Sequence, residues 1–175
     1  MIRVFLTGYM GAGKTTLGTA FARKLNIPLI DLDWYIEERF HKTVGELFTE
    51  RGEDGFRTLE RNLLHEVAEF ENVIISTGGG APCFFDNMEF MNQAGTTVFL
   101  DVHPDVLFRR LCVAKQQRPI LQGKLDAELK EFIINALESR APFYTQAQYI
   151  FKADELEDLR QIENSVQRLQ SLLNL

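Results

Sequence analysis

Residues Gly8–Thr15 read Gly-Tyr-Met-Gly-Ala-Gly-Lys-Thr, a complete G-x-x-x-x-G-K-[ST] turn. No other feature restricts the fold of this chain as tightly. Such a turn works only where an apolar strand runs into it and a helix leaves it. Both flanks comply. Arg3–Thr7 is strand-like, and Lys14–Leu25 carries Leu17, Ala20, Phe21 and Leu25 at helical spacing. Glycines let the backbone curl until successive N–H groups converge on phosphate oxygens. The helix starting at Lys14 directs its positive dipole end to the same point. Lys14 is then placed to reach the β- and γ-phosphates of a nucleotide, and the Thr15 hydroxyl to ligate Mg2+. The plain alternative is a glycine turn with no ligand.

Beyond this anchor, strand-like runs alternate with helix-length patterns, the mark of a parallel sheet with crossover helices. Further strands are expected at Pro28–Asp31, Val73–Ser76, Thr96–Val102 and Tyr149–Lys152. Helices are expected at Trp34–Phe40, Val44–Glu50, Asp54–Phe70, Met88–Gln93, Pro104–Val113, Asp126–Arg140 and Glu157–Leu173. Ala141-Pro142 should break or kink the sixth of these. The 175 residues favour one domain, 1–175.

Charge narrows the function. The net charge is −6, which disfavours nucleic acid as a partner. Yet Arg109, Arg110, Lys115, Arg118 and Lys124 fall within sixteen residues that hold no Asp or Glu. Such a stretch suits a small, highly charged anion; a solvated basic loop is the alternative. No apolar run reaches the roughly 20 residues of a membrane span. The two cysteines, Cys83 and Cys112, match no metal spacing. A cytoplasmic, monomeric protein is the expectation.

Carboxylates are needed beside the phosphates. Leu29-Ile30-Asp31-Leu32-Asp33 sets two of them at the end of the second strand, on the rim that the phosphate turn occupies. Two residues apart in an extended segment, they point the same way. Such a pair is easiest to hold beside a cation. Asp33 has an alternative role as a helix N-cap. Asp101, ending Val98-Phe99-Leu100-Asp101, is a competitor for the Mg2+ shell.

Taken with these, GEDGFRTLE (Gly52–Glu60), STGGGAP (Ser76–Pro82), RPIL (Arg118–Leu121) and RAPFY (Arg140–Tyr144) complete a series in order and spacing. From Met1 to about Tyr149 the sequence resembles the shikimate kinases, small P-loop kinases of the nucleoside-monophosphate-kinase type. The resemblance implies an α/β, three-layer P-loop kinase fold: a five-stranded parallel sheet flanked by helices, with a mobile lid at about 113–124. It implies ATP-dependent phosphorylation of the 3-hydroxyl of shikimate, with Mg2+. The substrate-binding segment would be about 33–60.

By the same resemblance Lys14, Asp33 and Arg118 are catalytic. Gly11, Ala12, Gly13, Lys14, Thr15, Thr16, Arg110 and Arg118 bind ATP. Asp33, Arg57, Gly78, Gly79, Gly80 and Arg140 bind shikimate. Thr15 meets the metal directly and Asp31 through water. Glu60 holds Arg57, or is an ordinary helical neighbour. Trp34 walls the pocket or packs in the core, and Ala153–Leu156 stands where an adenine-contacting loop is expected. A gluconate-kinase-like enzyme acting on another polyol acid and a non-catalytic nucleotide switch are the rival readings.

Overall fold

The computed structural model describes residues 1–114 and 126–175. Five strands form one parallel sheet: β1 (Arg3–Thr7), β2 (Leu29–Asp31), β3 (Val73–Ser76), β4 (Thr96–Asp101) and β5 (Tyr149–Lys152), in the order β2-β3-β1-β4-β5. The order reverses at β1, which opens a crevice beyond its carboxyl end. Register fixes what lines that crevice. Leu6 and Asp31 both pair with Ser76, so the phosphate turn after β1, the Asp31 carboxylate and the glycines after β3 leave the sheet at one level.

Among the described residues seven α-helices cover the two faces: α1 (Lys14–Leu25), α2 (Leu32–Phe40), α3 (Val44–Val67), α4 (Asn87–Ala94), α5 (Pro104–Ala114), α6 (Asp126–Tyr144) and α7 (Leu159–Leu173). Side chains of β1 alternate between two cores. Val4 and Leu6 join Leu17 and Phe21 of α1, Leu107 of α5, Ile133 of α6 and Leu169 of α7. Phe5 joins Ile36 of α2, Leu64 of α3 and Met91 of α4. Leu17 and Phe21 are fully buried, and each contributes roughly 1.5–3 kcal/mol of transfer free energy.

Three expectations change. The helix expected from Trp34 begins at Leu32, because the Asp31 carboxylate accepts from the Asp33 and Trp34 amides and caps it. Asp31 and Asp33 therefore do not share an extended segment. The two helices expected over 44–70 are one element, α3, interrupted at Gly52 with φ 70° and ψ 177°. Only a glycine enters that region without strain. Pro142 does not end α6, which continues to Tyr144. Proline there deletes a single bond in the last turn, and burial of Tyr144 at 0% exposure holds the turn in place. The expected lid lies outside the described residues from Lys115 onward, and Arg118 with it.

Candidate active site

A cleft of about 700 Å3 opens at the carboxyl rim, within the range of small-ligand sites. Its floor is the phosphate turn. Gly8, Gly11 and Gly13 have φ of 140°, 79° and 90°, a curl that side chains would oppose. Gly13 precedes α1 and no side chain caps that helix, so its first amides are left open to the cleft that Gly13, Lys14, Thr15 and Thr16 line. Lys14 is 9% exposed and donates to the Gly8 and Tyr9 carbonyls at 2.8 and 2.9 Å. Gly11, Gly13, Lys14, Thr15 and Thr16 line the cleft. Ala12 does not: its methyl lies in the core and its amide donates to the Tyr9 carbonyl at 3.1 Å.

Asp31 meets the floor from β2. Its Oδ2 accepts from Thr15 Oγ1 at 2.6 Å. A hydroxyl and a carboxylate are hard oxygen donors, the set Mg2+ takes when phosphates and water fill its remaining positions. Among the described residues no cluster of three or more His, Cys, Asp or Glu could hold a metal alone. Asp101 lies away from the cleft, ion-paired with Lys152 across β4 and β5.

The far wall is built by α2, α3 and the loop after β3. Arg57 is 9% exposed, and its Nη1 donates to Glu60 at 2.7 Å. Its Cζ stacks 4.2 Å from the Phe84 ring centroid, with the Phe48 and Phe56 rings at 5.4 and 5.5 Å. Its Nε is buried without a hydrogen-bond partner among the described residues. Burial pushes the Glu60 carboxyl up to about 7, with Arg57 acting against it. Gly78 and Gly80 are small because the charged groups crowd them. A methyl at Gly78 would sit 2.8 Å from Glu60 Oε1 and 2.9 Å from Asp33 Oδ1, and one at Gly80 would sit 2.4 Å from Arg57 Nη2. Arg140 enters from α6 and lies over Tyr9, 5.3 Å from the ring centroid. Tyr144 Oη donates to the Gly79 carbonyl at 2.6 Å and abuts Arg140. Trp34, 62% exposed, is a wall of the cleft and not a core residue. Burial raises the Cys83 thiol pKa, which leaves little thiolate for chemistry.

Arg110, expected among the ATP-binding residues, lines the cleft, and its N–H donors bond the protein around it. Nε donates to Glu157 at 3.0 Å, Nη1 to the Gly11 carbonyl at 3.2 Å, and Nη2 to the Ala153 and Asp154 carbonyls at 3.0 Å each. It thereby ties the loop at 153–157 to the phosphate turn and seats Leu156 against Gly13. Sequence reasoning missed this tie, and it missed the aromatic shelf of Phe48, Phe56 and Phe84. The Arg110 tie and the Phe84 part of the shelf have no local signal, since each joins residues distant in the chain.

Fold and site together define a small P-loop phosphotransferase with a cationic pocket beside its phosphate turn. The family model described as shikimate kinase matches residues 10–171. A shikimate kinase of Bacteroides thetaiotaomicron is 84% identical over 175 residues, covering all of both chains. The crystal structure of shikimate kinase from that organism superposes with a TM-score of 0.98 at 84% identity, covering 99% of each chain. That of shikimate kinase from Acinetobacter baumannii in complex with shikimate gives 0.86 at 30% identity, covering 99% of this chain and 94% of that one. The chain belongs to the shikimate kinase family.

Proposed function

We propose that this chain transfers the γ-phosphoryl group of ATP to the 3-hydroxyl of shikimate, a step of aromatic amino acid biosynthesis. One observation carries the reading: two arginines, Arg57 and Arg140, and the Asp33 carboxylate face the same cleft as Lys14 and Thr15. That is a place for an acid bearing hydroxyls beside a place for phosphates.

The phosphates lie on the turn amides and Lys14. The Thr15 hydroxyl and, through water, Asp31 would hold Mg2+, which would neutralise phosphate charge. Guanidinium forks at Arg57 and Arg140 pair with the shikimate carboxylate. The Gly79 and Gly80 backbone approaches the ring from the other side. Asp33 accepts the proton of the attacking hydroxyl. That oxygen bonds to the γ-phosphorus, the bond from the γ-phosphorus to the β–γ bridging oxygen breaks, and ADP leaves. Leu156 and Arg110 wall the nucleotide end. Arg118 enters the reading through the resemblance alone, as a charge-stabilising residue.

Free Cys83 and Cys112 suit the reducing cytoplasm, and no helix of the described residues is long and apolar enough to cross a membrane.

A coupled assay of ADP release tests the reading with shikimate, with gluconate and related polyol acids, and with no acceptor. Release should depend on shikimate. Release with gluconate instead would replace the substrate, and nucleotide binding without turnover would leave a switch.

A further inference from the structure

We propose that Tyr9 is a positioning residue for Arg140, and through it a determinant of selectivity for a carboxylate-bearing substrate. The role rests on the reading of Arg140 given above.

Tyr9 sits inside the phosphate turn, yet its ring is 1% exposed and lies against Arg140 at 5.3 Å. Its two halves serve different partners. The carbonyl accepts from Lys14 Nζ at 2.9 Å and from the Ala12 amide at 3.1 Å, which fixes the phosphate side. The ring face meets the guanidinium that faces the substrate side. The hydroxyl is buried without a hydrogen-bond partner among the described residues, and burial holds it protonated. The aromatic face, not the hydroxyl, is therefore the part that acts.

Arg140 is held unlike Arg57. Arg57 has the Glu60 carboxylate on Nη1, and an incoming anion must share it. Arg140 makes no ion pair with a carboxylate among the described residues; the Tyr9 ring and the Tyr144 hydroxyl flank it instead. A ring quadrupole steadies a guanidinium without neutralising it. The full positive charge stays available to a substrate carboxylate, and no internal anion has to be displaced. An aliphatic side chain would keep the site apolar but offer no ring face, and would leave the guanidinium to its many rotamers.

The test uses the full chain carrying Tyr9→Leu, Tyr9→Phe, Arg140→Ala, or Tyr9→Leu with Arg140→Ala. Tyr9→Met replaces the leucine variant if that one fails to fold. KM for shikimate, KM for ATP and the unfolding midpoint are measured for each. Tyr9→Leu should raise KM for shikimate about tenfold while KM for ATP stays within about twofold. Tyr9→Phe should match the unaltered protein on both. In the Arg140→Ala background Tyr9→Leu should add no further loss, because the two act as one unit. The proposal is overturned if Tyr9→Leu shifts both KM values equally, if its loss adds in full to that of Arg140→Ala, or if Tyr9→Phe behaves like Tyr9→Leu. If the unaltered chain does not phosphorylate shikimate, the substrate reading fails on its own. The unfolding midpoints of the same set then decide: non-additive shifts support the Tyr9–Arg140 unit, and additive shifts overturn it.

Discussion

Thr15 Oγ1 donates to Asp31 Oδ2 at 2.6 Å, while Oδ1 of the same carboxylate caps α2. One side chain thus joins the phosphate turn to the helix that carries Asp33, and the two tasks can be separated. Asn caps a helix about as well as Asp but offers no charge to a cation. Asp31→Asn should leave the unfolding midpoint nearly unchanged and raise the Mg2+ concentration for half-maximal turnover by about tenfold or more. A Mg2+ titration at fixed ATP, beside a melting curve, checks both halves. An unchanged Mg2+ requirement would remove Asp31 from the metal's surroundings.

Lys14 donates to two carbonyls of its own turn, which holds its ammonium at the turn proposed to take the phosphates. Lys14→Ala should lower turnover by roughly a hundredfold or more, the scale of losing one preorganised electrostatic contact. Near-normal rates in a steady-state assay would refute the assignment of the turn.

What could be read from the sequence divides along a physical line. The five strands and the phosphate turn rest on local periodicity and glycine spacing, so the chain alone declares them. The boundary at Asp31 does not, because a strand end and an N-cap compete for one residue and the pairing of β2 with β3 decides between them. The continuation of α6 past Pro142 is set by burial of Tyr144, a tertiary effect. In the site, the arginines and acids were visible as residue types. The stacking of Phe84 on Arg57 and the tie from Arg110 to Glu157 were not, since each joins segments separated by tens of residues.

Gly80 shows how a backbone position sets a side-chain position. Its φ of −90° and ψ of −22° suit any residue, so Gly80→Ala carries no backbone strain. The added methyl would meet Arg57 Nη2 at 2.4 Å, and the guanidinium must move. Gly80→Ala should therefore fold with a midpoint within a few degrees of the unaltered protein, raise KM for shikimate about tenfold or more, and leave KM for ATP alone. Equal loss of both substrates would show that Arg57 supports the whole cleft.

Arg57→Lys keeps the charge but gives up the planar fork and its stacking on Phe84. An ammonium can still reach Glu60, yet it cannot also present two parallel donors to a carboxylate. KM for shikimate should rise on the order of tenfold, with ATP binding preserved. Calorimetric titration with each ligand separates the two effects, and equal weakening of both would reassign Arg57 to the fold or the nucleotide site.

Glu60 gives the cleft a pH dependence of unusual sign. Its carboxyl is raised to about 7 by burial, with the Arg57 guanidinium opposing and the Asp33 charge adding to the rise. A group that holds its proton more tightly in the folded state than in the unfolded chain makes the native state the proton-rich one between its two pKa values. Stability from Glu60 is therefore fully present below its ordinary value of 4.5 and is lost as pH rises through about 7. Exposed Asp86 and Asp105 are shifted the other way, held down by Arg61 and Lys130. Their contribution is lost as pH falls below the ordinary aspartate range, outside this window. Glu60→Gln keeps an oxygen for Arg57 Nη1 and removes the titration. Unfolding midpoints measured from about pH 5 to about pH 8 should fall for the unaltered protein and fall less for the variant. Identical slopes would mean that Glu60 is already ionised across the range, its charge matched by Arg57.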